Sequence, residues 1–223
     1  MLDYGIGNLR SAEKALAHLG ARVVLTTDPG VVRDAVGVVL PGVGHFGACM
    51  AALRRAGLHD LAYEAAMSGR PFLGVCIGMQ MLFEGSDEAP GVPGLGVLPG
   101  RVTKLPATVK LPQIGWNTLE RVAGSALVAG LDDPAWFYFV HSFAPETDPA
   151  IVAAWCEYGR RFPAAVERGN VWATQFHPEK SGAIGLQLLE NFVALCKGAG
   201  VAGVTSRHEA KAHADATMED GVA

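Results

Sequence analysis

The chain has 223 residues, half of them hydrophobic and 18% charged, with 18 Lys and Arg against 22 Asp and Glu for a net charge of −4. This is the composition of one large globular domain or at most two small ones, at the usual roughly 100–200 residues per domain. It offers no basic footprint for nucleic acid or an anionic membrane surface, and no apolar run reaches the roughly 20 residues that cross a bilayer.

The chain opens Met1-Leu2-Asp3-Tyr4, without the basic and apolar regions of a secretory signal, so a soluble cytoplasmic protein is expected. Cys49, Cys76, Cys156 and Cys196 lie far apart and form no C-x-x-C pair, which excludes a zinc ribbon or a thioredoxin motif. The length and hydrophobicity do not suit a disulfide scaffold. His208-Glu209-Ala210-Lys211-Ala212-His213 approaches the zinc-helix pattern H-E-x-x-H but is one residue too long. Five residues apart on a helix, the two imidazoles would stand roughly 140° from each other. No metal or cofactor is expected.

Apolar spacing predicts a helix over Ser11–Leu19, with Ser11 as N-cap and Gly20 just past its end. Ala21–Thr26 and Val36–Leu40 then read as strands, and Ala48–Ser68 as a helix. Pro71–Val75 is a third strand and Met79–Phe83 opens another helix. Strand and helix alternating in this way predict a parallel sheet covered on both faces.

After Ser86 the texture changes, with Pro90, Pro93, Pro99, Pro106 and Pro112 punctuating shorter β-like runs. These runs are Arg101–Leu105, Gly115–Val122, Trp136–Phe143, Ile151–Trp155 and Val171–Phe176. They predict an antiparallel extension of the same sheet. An amphipathic helix over about Gly185–Cys196 would pack back on it. The expected fold class is therefore a three-layer α/β protein with a mixed, largely parallel sheet. Residues 1–197 form its domain, and residues 198–223, rich in Ala, Gly and scattered charge, a disordered tail.

Three segments carry chemistry. Gly74-Val75-Cys76-Ile77-Gly78 falls between a predicted strand and a predicted helix. Such a turn strains the central residue, lifts its side chain out of the sheet and aims the next amides at the same spot. That would favour a thiolate and offer a donor to an oxyanion. Thr174-Gln175-Phe176-His177-Pro178-Glu179-Lys180 follows another strand, and Pro178 stiffens the link between His177 and Glu179. The Glu carboxylate could thus hold one imidazole nitrogen while the other faces the thiol. Leu40-Pro41-Gly42-Val43-Gly44 ends a third strand, where its amides could meet a substrate carbonyl. All three fall at strand ends on one side of the sheet, where open α/β sheets place their sites. The order Cys, His, Glu differs from the nucleophile, acid, base order of α/β-hydrolases.

With its G-x-C-x-G turn and H-P-E ending, the sequence resembles the class I (triad) glutamine amidotransferases. Within them it is most similar to the glutaminase subunit of imidazole glycerol phosphate synthase, a histidine-biosynthesis enzyme. That finer resemblance rests on Asp3–Ser11, Leu111–Asn117 and Tyr138–Phe143, and the whole covers nearly everything up to about Lys197. It implies that Cys76, His177 and Glu179 are catalytic, and that amides at Ile77 and at Val43 or Gly44 form an oxyanion hole. It also implies that Gln80, Glu88, His141, Ser142 and Phe143 line a glutamine site, with Glu88 meeting the substrate ammonium. The implied partner is a (β/α)8-barrel cyclase, bound as a heterodimer and faced by Trp116, Tyr138 and Lys180. Ammonia would pass into it to make imidazole glycerol phosphate and aminoimidazole carboxamide ribotide.

The resemblance leaves two departures. Members usually carry a short apolar strand before the D-Y-G segment, whereas only Met1-Leu2 precedes it here, so the expectation is a downstream start or a clipped strand that weakens the sheet centre. The tail has no counterpart. Rival readings are a dinucleotide site at Gly5-x-Gly7, which lacks the third glycine and a clear preceding strand, another class I glutaminase such as a pyridoxal phosphate synthase subunit, and a binding subunit with a vestigial site.

Overall fold

The computed structural model describes residues 1–122 and 124–198, and the expected tail from 199 on, with its His-Glu segment, lies outside the described residues. Seven strands form one sheet in the order β1(Val38–Leu40), β2(Phe72–Val75), β9(Val171–Thr174), β8(Arg161–Arg168), β7(Val152–Glu157), β4(Gln113–Arg121), β5(Ala135–His141). The first three run parallel, with Leu40 opposite Gly74 and Val75 opposite Thr174, and every residue in them is buried. Continuous burial is the mark of strands covered by helices on both faces. From β9 onward each pairing is antiparallel, which is the expected extension. β3(Arg101–Lys104) and β6(Phe143–Glu146) pair separately as a two-stranded ribbon.

Helices α1(Leu9–His18), α2(Pro29–Asp34), α3(Phe46–Arg55), α4(His59–Met67), α5(Ile77–Gln80) and α6 (182–198) surround the parallel half. Several expectations need correction. The N-cap of α1 is Asn8, and Ser11 instead donates to the Asn8 side chain at 3.0 Å. The single helix expected over Ala48–Ser68 is two, because Gly57 adopts φ +68° and the chain turns there. Ala21–Thr26 forms no strand beyond an isolated parallel bridge between Leu2 and Thr26. A ladder needs a backbone partner, and here only Met1, Leu2 and Asp3 supply one. Leu2 donates to Val39, Asp3 to Thr26, Thr26 to Met1, and the Met1 ammonium to Val24. β8 was not expected. The predicted Trp136–Phe143 strand breaks at Ser142 into β5 and β6.

The core is one cluster on both faces of the sheet. Its largest fully buried side chains include Phe46, Phe72, Phe83, Phe137, Phe139, Phe162 and Phe176. Phe176, just after β9, stacks on Phe137 at 4.2 Å and meets Phe139 edge-on at 5.6 Å. These contacts tie the antiparallel extension to the chain that leads into His177. Aromatic pairs of this kind add on the order of 0.5–1.5 kcal/mol each beyond their buried area.

Candidate active site

The turn between β2 and α5 places Cys76 at φ 56°, ψ −113°; it is the one non-glycine residue at positive φ among the described residues. Such a conformation costs a residue with a side chain on the order of 1–3 kcal/mol and persists only where its surroundings enforce it. The Cys76 amide donates to the Thr174 carbonyl at 2.7 Å, pinning the turn to the end of β9. Gly78 packs so tightly under the end of β1 that a Cβ there would collide with the Leu40 carbonyl. A Cβ on Gly42 would lie 2.7 Å from the Gly78 amide nitrogen. The two glycine segments are thus in backbone contact, which brings the β1 loop alongside Cys76.

That loop is held from behind. The Tyr4 hydroxyl donates to the Pro41 carbonyl at 2.6 Å, and the Cys49 thiol on α3 to the Val43 carbonyl at 3.2 Å. Burial pushes the Cys49 thiol up in pKa, so it stays protonated as a donor. In the planar peptide that follows Val43, the Gly44 N–H points opposite to the carbonyl held by Cys49.

His177 leaves β9 into a 3-10 turn, Pro178–Lys180. Its amide donates to the Tyr138 carbonyl at 3.0 Å, and the Tyr138 amide donates to the Ser181 hydroxyl at 3.0 Å. His177 Nδ1 and Glu179 Oε1 are 2.8 Å apart, with the side chains 2% and 4% exposed. Burial alone would pull the imidazole down in pKa. The Cys76 sulfur and the Glu179 carboxylate outweigh it and raise His177 to about 9. His177 Nε2 makes no hydrogen bond of its own, although the sulfur is close enough to act on the ring.

A cavity of about 300 Å³ opens at this point. Cys76 and His177 line it, together with Val43, Gly44, Ile77, Gln80, Glu88, His141, Ser142, Phe143 and Lys180. Glu179 stands behind His177. Trp116 and Tyr138 lie away from the cavity on β4 and β5, where they pair across the ladder and meet edge to face at 6.2 Å.

Glu88 accepts from the Phe46 amide at the start of α3, at 2.6 Å, which leaves its second oxygen free to face a ligand. Ile77 is the first residue of α5, so its N–H has no acceptor within the helix. The Gln80 amide nitrogen donates to the Phe143 carbonyl and to the Gln175 side-chain oxygen, each at 3.0 Å, leaving its own oxygen buried and unpartnered. His141 is buried without a carboxylate. Desolvation, with Arg160 and His177 nearby, lowers it to about 4, against a hydrogen bond to Phe143 that raises it. It is therefore neutral and donates from Nδ1 to the Phe143 carbonyl at 2.8 Å.

The sequence reading did not single out Tyr4, Cys49 or Gln175 as parts of this site. Nor did it single out Ile114 and Trp136, which stand exposed on the same ladder face as Trp116 and Tyr138. The last two were open to it, since a period of two on each strand leads directly to them. Among the described residues no cluster of three or more His, Cys, Asp and Glu could hold a metal, and no helix is long and apolar enough to cross a membrane.

Residues 1–196 match the family of class-I glutamine amidotransferases. Imidazole glycerol phosphate synthase subunit HisH of Deinococcus radiodurans is 50% identical over 86% of this chain and 91% of its own length. The HisH subunit of Methanothermobacter thermautotrophicus is 47% identical over 88% of this chain and 98% of its own. A crystal structure of a glutamine amidotransferase superposes with a TM-score of 0.67 at 24% identity, covering 88% of this chain and 97% of the other. A Thermoplasma acidophilum protein described as a GMP synthase subunit gives the same score at 18% identity over 92% and 95%, so the fold is shared well beyond close relatives. The chain belongs to the class-I glutamine amidotransferases and, within them, to the imidazole glycerol phosphate synthase subunit HisH family.

Proposed function

We infer that this protein is the glutaminase subunit of a cytoplasmic imidazole glycerol phosphate synthase. It hydrolyses glutamine to glutamate and ammonia and passes the ammonia to a cyclase partner. The observation that carries this reading is the convergence of Cys76 and His177, from two different strand ends, on one cavity of about 300 Å³, with Glu179 bonded to His177 from behind.

Hydrolysis proceeds as two acyl transfers. The Cys76 thiolate adds to the side-chain carbonyl of glutamine, and the tetrahedral intermediate collapses to a thioester as its nitrogen leaves. His177 Nε2 receives the thiol proton and delivers it to that leaving nitrogen, releasing ammonia. A water molecule, deprotonated by the same imidazole, then cleaves the thioester to glutamate and restores the thiol. Glu179 orients the ring through Nδ1 and stabilises it when charged. The Ile77 amide and the Gly44 or Val43 amide bind the oxyanion, where one such donor is commonly worth roughly 100–1000-fold in rate. The free Glu88 oxygen and the unpartnered Gln80 oxygen take the substrate ammonium, and the Ser142–Phe143 bend closes the far wall.

The exposed ladder face made by Ile114, Trp116 and Trp136, 63%, 53% and 47% exposed, with Tyr138 between them, is the docking surface for the barrel-shaped cyclase. Lys180 stands exposed on the cavity side. Large aromatics exposed together on a flat strand pair are the usual anchors of a protein interface.

Glutamate release measured alone, with the cyclase, and with the cyclase plus its nucleotide ligand tests the reading. The rate should be low alone, rise sharply with both, and vanish in Cys76→Ala, while ammonium salts still support synthesis by the complex. Glutamine hydrolysis that survives Cys76→Ala would refute the assignment of the nucleophile.

A further inference from the structure

Cys76 has a second neighbour besides His177. The Gln175 side-chain nitrogen approaches the Cys76 sulfur at 3.9 Å, across 99 residues of sequence. Gln175 is fully buried, Gln80 is 1% exposed and Cys76 3%, so solvent does not compete for these groups. In so dry a place the end of an amide that faces the sulfur matters, because an oxygen would repel a thiolate and an N–H would hold it.

The surrounding bonds decide which end it is. The Phe143 carbonyl can only accept, and it receives both His141 Nδ1 at 2.8 Å and Gln80 Nε2 at 3.0 Å. Turning Gln80 over would set its oxygen against that carbonyl, so its nitrogen must face Phe143. The same nitrogen donates its other hydrogen to Gln175 Oε1 at 3.0 Å. Turning Gln175 over would then set nitrogen against nitrogen. With its oxygen committed to Gln80, Gln175 has only N–H to present to sulfur. The chain of three groups therefore has one polarity, set by a backbone carbonyl and ending at the nucleophile.

We propose that Gln175 is a catalytic residue whose side-chain amide donates to the Cys76 sulfur and holds it as a thiolate, and that Gln80 is the positioning residue that turns that amide the right way. This rests on Cys76 being the nucleophile. A separation of 3.9 Å is a weak contact for a neutral thiol, which needs little from its neighbours. Ionisation puts a full charge on sulfur, and hydrogen bonds to charged groups are shorter and about twice as strong. Gln175 thus acts most on the state that attacks. It differs from His177 in kind, because it moves no proton and cannot change its charge with pH.

The test is the pH dependence of Cys76 alkylation by iodoacetamide, followed by mass spectrometry of the Cys76 peptide so that the other three cysteines do not interfere. In Gln175→Leu the midpoint should rise by about one pH unit, an about tenfold slower reaction at pH values below both midpoints that converges with wild type in alkali. Gln175→Glu, which keeps the acceptor for Gln80 but turns an oxygen on sulfur, should raise it further. Gln80→Met should raise it less than Gln175→Leu. An unchanged midpoint in folded Gln175→Leu overturns the proposal.

The wild-type protein provides a readout that no folding defect can blur. The NMR signal of the Gln175 side-chain amide should shift as Cys76 ionises, and a signal that stays fixed through that titration overturns the proposal as well. Glutamine turnover by Cys76→Ala would refute the nucleophile itself, an outcome that neither the alkylation midpoint nor the amide signal can mimic.

Discussion

The two halves of the sheet are built on different plans. In β1, β2 and β9 every residue is buried, the strands are three or four residues long, and the chain leaves each of them straight into a site loop. In β4 and β5 the strands are nine and seven residues long, and one face carries the exposed Ile114, Trp116 and Trp136. A strand buried on both faces can present nothing but its end, so chemistry collects at the carboxyl ends of the parallel half. A strand with one free face can present a surface, and the proposed docking face lies on the antiparallel half. The halves join along the β8–β9 ladder, and next to the site Tyr138 of β5 bonds through its backbone to the turn that carries His177.

The sharpest way to break the parallel half is to widen its closest approach. Gly78→Ala would drive a Cβ into the Leu40 carbonyl, with backbone on both sides and no flexible side chain to yield. We expect a loss of about 3 kcal/mol or more in urea unfolding, and loss of glutamine turnover even where the protein folds. Wild-type stability in this variant would mean that the β1 loop and the Cys76 turn are not in contact.

The antiparallel half should break differently. Trp116→Ala combined with Trp136→Ala removes two half-exposed side chains, so unfolding should change by no more than about 1 kcal/mol. Affinity for the cyclase should fall by on the order of 100-fold, measured by titration calorimetry, because aromatic anchors dominate interfaces. Basal alkylation of Cys76 should be untouched. Unchanged affinity would move the docking surface elsewhere.

The same division decides how much could be read in advance. A doubly buried strand writes itself as an unbroken apolar run, which is why Val36–Leu40 and Pro71–Val75 located β1 and β2 closely, and Gly-rich or Pro-stiffened ends located Cys76 and His177. The extension was harder. β8 has Pro163 near its start and charges at Arg161, Glu167 and Arg168, so its apolar centre reads as too short for a strand. Ala21–Thr26 fails the other way, having strand composition but almost no backbone to pair with. Within the site, residues joined by a local motif were legible, including the His177–Glu179 pair. The Tyr4–Pro41, Gln80–Phe143 and Gln175–Cys76 contacts were not, because each joins segments 37 to 99 residues apart and depends on packing alone.

The cavity also holds two histidines with opposite shifts. His177 is raised to about 9 by its sulfur and carboxylate neighbours, against burial, so its share of stability is full below the unfolded value near 6.5 and is lost as pH rises through about 9. His141 is lowered to about 4, first by burial. The unfolded chain binds that proton near pH 6.5 and the folded chain does not, so its share is lost as pH falls from about 6.5 toward 4. Up to about 3 kcal/mol is at stake. His141→Asn keeps a donor for the Phe143 carbonyl but cannot titrate, and should flatten the acid side of a plot of unfolding free energy against pH. An unaltered acid limb would show that His141 is already charged when folded.

The smallest expected effect concerns Cys49, and it separates two uses of the same cavity. Its thiol bonds the Val43 carbonyl from behind the loop, so it bears first on where the loop amides point. The proposed oxyanion binding uses those amides, whereas alkylation of Cys76 by iodoacetamide passes through no tetrahedral oxyanion. Cys49→Ala should therefore lower kcat for glutamate release by roughly threefold to tenfold, as fits the loss of one weak hydrogen bond, and leave the alkylation rate as it was. Cys49→Ser, which restores a donor of nearly the same reach, should recover most of kcat. If alkylation slows as much as turnover, Cys49 supports the Cys76 turn as a whole. The loop would then be held in place by the backbone contact at Gly42 and Gly78, and the thiol behind it would be packing.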